Sequence, residues 1–165
     1  MGPDFLLSTI LVTFTQQINR QTFKSKKTMA TRSRIAIENQ DGTVSSIYCH
    51  NDGYPSHNGC ILNDHYPDRE KVEKLIALGS ISSLAPEVEP TGPHSFDRPQ
   101  SGTVVAYHRD RGEDLRTRTD VSIDAFVTSD VEEYGYIMTK EGSWLFIDGH
   151  TSEGRAAIPL ENAVA

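Results

Sequence analysis

The sequence predicts an α+β domain: a mostly antiparallel sheet with terminal hairpins and two or three helices packed on one face. Three observations lead there. Apolar residues alternate with a period of two around two glycine-containing loops, Asp41-Gly42 and Thr139-Lys140-Glu141-Gly142. Between them an apolar stripe at Val72, Leu75, Ile76 and Leu78 has helical spacing. No strand–helix–strand unit repeats, which argues against a doubly wound parallel sheet.

Taken in order, Ile35 and Ile37 alternate with Ala36 and Glu38, and Asn39 to Thr43 supply a turn. Asp-Gly between alternating runs signals a hairpin because its central residues need φ > 0. The return strand runs Val44 to Cys49 and leaves through the polar loop His50-Asn51-Asp52-Gly53-Tyr54-Pro55. Ser56 or Asn58 caps a short helix through Cys60, Ile61, Leu62 and His65. A second helix starts at Pro67-Asp68 and ends at Gly79. Residues 85–102 hold four prolines and are a loop. A third strand, Thr103 to Tyr107, enters the charged stretch His108 to Asp114, and Ser122 to Phe126 read as a helical turn. The runs Tyr134 to Met138 and Ser143 to Ile147 form the last hairpin. Val72, Leu75, Ile76, Ile35, Ile37, Val105, Ile137 and Leu145 are the expected core.

The charge is uneven. The chain of 165 residues carries a formal −7, yet residues 1–28 are +3 and the remainder −10. Such a surface repels phosphate backbones, so general nucleic-acid binding is not expected. The apolar run Phe5 to Phe14 is shorter than the roughly 20 residues a spanning helix needs. It also lacks the flanks of a signal peptide. Residues 1–28 thus read as a disordered or non-native extension, 29–150 as one globular domain, and 151–165 as a frayed tail. Cys49 and Cys60 are too few for a disulfide framework and fit reduced thiols in a cytosol.

Two constellations carry chemistry. His50, Asp52, His57, Asp64 and His65 lie within sixteen residues, but match no standard metal motif, and Asp52-Gly53 serves a turn; no metal or other cofactor is expected. The run His108-Arg109-Asp110-Arg111-Gly112-Glu113-Asp114 offers two guanidinium forks for a carboxylate or phosphate, set against the alternative of a self-paired surface run. Arg109, Arg111 and His108, with Tyr54 from the earlier loop, are the candidate ligand-binding residues. Should the second and third strands run parallel, His50, Asp52, His108 and Asp110 would meet and do acid–base or phosphoester chemistry. GxSxG, Walker A, GxGxxG and EF-hand patterns are absent.

The segments Cys49-His-Asn-Asp-Gly-Tyr-Pro55 and Tyr107-His-Arg-Asp-Arg-Gly-Glu113, with Lys74-Leu-Ile-Ala-Leu-Gly79, resemble a family of small uncharacterised proteins of bacteriophages and bacterial genomes. The resemblance covers about Thr31 to Gly149. It departs at Asn51, where an aromatic residue is common, and in the proline-rich insert. It implies a phage or prophage setting in a bacterial cytoplasm, Met29 as the start, and no particular reaction. The resulting expectation is an accessory protein that binds a host protein or a small anionic, nucleotide-like ligand, in one version countering a host defence. The alternative is a phosphoester hydrolase using the paired His and Asp residues.

Overall fold

A computed structural model describes residues 30–165. The extension assigned to residues 1–28, and Met29 as a start, lie outside the described residues. Eight strands form one mostly antiparallel sheet: β1 Ser33–Glu38, β2 Val44–Cys49, β3 Ile81–Ser83, β4 Val105–Ala106, β5 Arg118–Asp120, β6 Tyr134–Met138, β7 Trp144–Asp148 and β8 Ile158–Pro159. Their order is β4-β3-β2-β1-β6-β7-β8, with β5 also paired to β2. A π-helical turn, Pro55–Gly59, runs into α1 Cys60–His65. Then follow α2 Arg69–Ala77, α3 Tyr107–Arg111, α4 Ile123–Thr128 and α5 Leu160–Val164.

The two hairpins are built alike. The Asn39 N–H donates to the Thr43 carbonyl at 2.7 Å, and Thr139 N–H to Ser143 at 2.9 Å. Gly42 at φ +87° and Gly142 at φ +85° close the turns, and Asp41 stays out of the left-handed region. This is a turn closed by one left-handed glycine rather than the two-residue form with both residues at φ > 0. β1 and β6 pair in parallel from Ser33↔Tyr134 to Ile37↔Met138, so the hairpins lie side by side with their turns at one end. The Glu38 carboxylate joins those ends by accepting the Lys140 N–H at 2.9 Å.

Strand alternation divides the core. Ile35, Ile37, Ile47, Tyr136 and Met138 face one side with Leu62 of α1, Val72, Leu75 and Ile76 of α2, and Leu160 of α5. Ala36, Val44, Ile137 and Ile147 face the other with Phe126 and Val127 of α4. Helices therefore cover both faces, where the sequence led us to expect one. Central strands that are apolar on both sides require cover on both. The stripe of α2 forms as its spacing demands, aided by Arg69–Glu73 and Glu70–Lys74 pairs at i,i+4. The Ser122 Oγ caps α4 by accepting the Ala125 N–H at 3.1 Å.

Four local readings differ from the structure. Neither Ser56 nor Asn58 caps α1, because the chain enters it from the π-helical turn with Gly59 at the N-cap and no side-chain bond. The third strand shrinks to β4, because the chain turns into α3 at Tyr107 and stops at Gly112, φ +73°. β3, invisible as a short Ile-Ser-Ser run, forms by pairing with β2 and β4. The tail carries β8 and α5, with Leu160 only 1% exposed. It is also stapled by Arg155, whose guanidinium donates to the Ser129, Gly149 and Thr151 carbonyls. Among the described residues no helix is long and apolar enough to cross a membrane.

Candidate functional site

β2 and β3 run parallel, while β3 and β4 run antiparallel, with Cys49, Ile81 and Ala106 in one row across the three. Past that row the chain bearing His50 continues alongside Ser82, whereas Tyr107 turns back to bond Ser80. The two strand ends thus leave in opposite directions. The four residues weighed for acid–base chemistry have separate partners. His50 Nδ1 meets the Tyr48 hydroxyl at 2.8 Å, and His108 Nδ1 the Glu113 carbonyl at 2.6 Å. Asp52 sits at φ +54° in an exposed turn, 3.4 Å from the Tyr54 hydroxyl. Tyr54 packs edge-on against His57. Among the described residues no three His, Cys, Asp or Glu side chains gather as a metal cage.

Asp110 is a structural centre. It accepts from Arg109 Nε at 2.8 Å, from the Ala106 N–H at 2.8 Å, and from His94 Nε2 at 3.0 Å. Burial pushes its carboxyl up, but the bonds from Arg109, Ala106 and His94 outweigh this and hold it at about 2. His94 and Asp110 are 2% and 4% exposed. The Gln100 N–H donates to His94 Nδ1 at 3.0 Å, which puts the ring proton on Nε2, facing Asp110. Arg109 spends its other nitrogens on the Val88 and Val104 carbonyls at 2.7 and 2.6 Å. The YHRDRGE segment therefore ties the proline-rich loop to the sheet. Arg111 pairs with Glu113 and lies over the Phe96 ring at 4.1 Å. Its fork is engaged within the surface run.

A different set of arginines converges. Arg34 of β1 stands opposite Tyr48 of β2, and Arg118 of β5 opposite Ser46. Alternation turns Arg34 away from the face filled by Ile35 and Ile37. Thr117 and the exposed Arg116 precede β5, and the Ser80 N–H donates to the Arg116 carbonyl at 3.0 Å. Together Arg34, Tyr48, Ser80, Arg116, Thr117 and Arg118 line a cavity of about 250 Å³.

The three guanidiniums are not equivalent. Arg118 is committed, through Nε to Asp120 at 3.1 Å, and through its other nitrogens to the Asp130 carbonyl and Ser129 Oγ, both at 2.7 Å. Among the described residues the Arg34 side chain makes one hydrogen bond, Nη1 to Ser46 Oγ at 3.2 Å, and its buried Nε has no partner. Burial first, and then the like charge of Arg118, push the Arg34 pKa down, partly offset by Glu132, Asp130 and Asp120. Behind the arginines the Tyr48 phenol is held above its ordinary 10, by burial first and then by Glu132.

A larger depression of about 560 Å³ runs past Asn63, Trp144, Leu145 and Glu161. Its indole N–H is already given to the Tyr66 carbonyl at 2.8 Å. The arginine cavity is not legible as a site in the sequence. Its signals were an arginine inside an alternating strand and the run Arg116-Thr-Arg118, which only the β2–β5 pairing brings together.

No family model, no curated protein and no solved structure matches this chain.

Proposed function

We propose that the protein binds a small anionic ligand, presented as a phosphoryl or carboxylate group, in the cavity among Arg34, Arg116 and Arg118. The observation that carries this reading is Arg34, a guanidinium whose buried Nε has no partner among the described residues, held beside a second guanidinium at the edge of a cavity. A buried unpaired donor and a like-charge neighbour are both costly. An anion placed between the arginines relieves both costs, and more strongly than in water, because the site is partly desolvated.

The local charge indicates the kind of anion. Arg118 is paired with Asp120, and Glu132 and Asp130 also act on Arg34, so carboxylates offset part of the positive charge of the three arginines. A phosphate monoester, whose oxygens accept from guanidinium nitrogens, suits the uncommitted donors of Arg34 and Arg116, in line with the expected small, nucleotide-like ligand. The cavity's size accommodates the charged group rather than a whole nucleotide, so the rest of such a ligand lies over the open side. The hydrolase alternative has less support, because His50, Asp52, His108 and Asp110 answer to separate partners. An accessory role in a phage or prophage rests on the resemblance of the CHNDGYP and YHRDRGE segments alone.

Calorimetric titration with inorganic phosphate at low ionic strength tests the reading. Arg116→Gln should weaken binding about tenfold or more with an unchanged melting temperature, since the residue is exposed. Arg111→Gln should bind like the parent, and added sodium chloride should weaken binding in both. Phosphate, sulfate and AMP all failing to bind the parent, or equal binding by the two variants, would overturn it.

A further inference from the structure

This inference rests on the anion-binding reading and concerns the side-chain pair behind the arginines. Tyr48 lines the cavity, and its hydroxyl lies 2.8 Å from His50 Nδ1. That bond has two forms. With Nδ1 bare, the phenol donates its proton to the imidazole and turns only lone pairs to the cavity. Lone pairs facing an anion repel it. With a proton on Nδ1, in the neutral Nδ1–H tautomer or in the imidazolium, the imidazole donates to the phenolic oxygen, and the phenol O–H becomes free to donate into the cavity that Tyr48 lines. Of these two forms only the imidazolium also adds a positive charge beside Tyr48, and that charge is what a dianion favours.

We propose that His50 takes up a proton as a dianion enters the cavity, turning Tyr48 from a donor to His50 into a donor to the ligand. The proton comes from solvent and goes to the imidazole, and no covalent bond of the ligand changes. Tyr48 is thus a specificity-determining contact, and His50 a positioning residue that acts through it. The pair favours a doubly charged anion over a singly charged one, because the second charge is what draws the proton in.

The other groups around the pair do not imitate this response. The Tyr48 and Tyr107 phenols are both pushed up by burial, and burial pushes the Cys49 thiol up to about 11, so all three stay neutral. The charged groups around the cavity are Arg32, Arg34, Arg116 and Arg118 with Asp120, Asp130 and Glu132, all guanidinium or carboxylate, side-chain types that ordinarily change charge outside about pH 5.5–8. Imidazole is the type that ordinarily changes charge within that range.

Sulfate is the probe, because it stays a dianion throughout this range and leaves any pH response to the protein. Calorimetry of the full chain at fixed ionic strength should show sulfate binding about tenfold tighter at about pH 5.5 than at pH 8. At an intermediate pH the heat should differ between two buffers of unlike ionisation enthalpy, in the direction of proton uptake. His50→Gln should flatten the pH profile, and Tyr48→Phe should do so independently, which keeps the test sound if one variant folds poorly. Tight sulfate binding with a flat profile and buffer-independent heat would overturn the proposal while leaving the anion site standing. A pH response that survives in both variants would overturn it equally. Sulfate and phosphate failing to bind at any pH would remove both readings together.

Discussion

Replacing Asp110 by asparagine keeps the side chain's shape and removes the charge on which Arg109, His94 and the Ala106 N–H converge. The size of the effect follows from linkage. The carboxyl sits at about 2 in the folded protein against 3.8 ordinarily. At 1.36 kcal/mol per unit, this is about 2.5 kcal/mol of stability at neutral pH. The amide also turns an N–H₂ toward groups that are themselves donors, so a buried donor is left unmatched. The expected loss for Asp110→Asn is about 2–4 kcal/mol at pH 7, or a melting temperature lower by about 10 °C. Because the folded pKa is depressed, the contribution is fully present above the ordinary carboxylate value and fades as pH falls through about 2. Urea titrations of parent and variant should therefore differ by a constant amount from pH 7 to about pH 5, with the difference shrinking progressively from about pH 4 to about pH 1. A difference under about 0.5 kcal/mol at pH 7, or one that does not shrink in acid, would refute the assignment of Asp110 as the centre that holds the proline-rich loop.

Two further outcomes follow from packing. A Cβ on Gly53 would lie 2.7 Å from Ser33 Cβ and 2.9 Å from the Arg32 carbonyl carbon. Gly53→Ala should thus cost about 1–3 kcal/mol in chemical denaturation, and a neutral result would mean that this turn relaxes freely. Leu160→Ala removes the buried anchor of α5 and should cost about 2–5 kcal/mol; a cost near zero would return residues 151–165 to the frayed tail the sequence suggests.

What the sequence discloses and what it hides divides along physical lines. Gly42 and Gly142 between alternating runs, and Val72, Leu75 and Ile76 at helical spacing, are local signals, and the hairpins and α2 form where those signals place them. β3, β5 and β8 have two or three residues each and no periodicity of their own, so they exist only through their pairing partners. The same distinction governs the site. Arg109 and Arg111 attract attention as a dense charged run, yet Asp110, Glu113 and two carbonyls absorb them. Arg34 stands alone in a strand and reads as ordinary strand alternation. It becomes unusual only when β5 brings Arg118 beside it across a pairing of distant segments. His94 lies in a proline-rich loop that offers no local reason to bury a histidine, and its role depends wholly on Asp110, sixteen residues on.

The central claim, an anion held among Arg34, Arg116 and Arg118, is tested most directly by a nuclear magnetic resonance titration that observes arginine Nε–H groups as inorganic phosphate is added. Saturable shifts in the Arg34 and Arg116 resonances, smaller ones at Arg118, and still signals at Arg109 and Arg111 are the predicted result. Still resonances at Arg34 and Arg116, or shifts concentrated at Arg109 and Arg111, would contradict it.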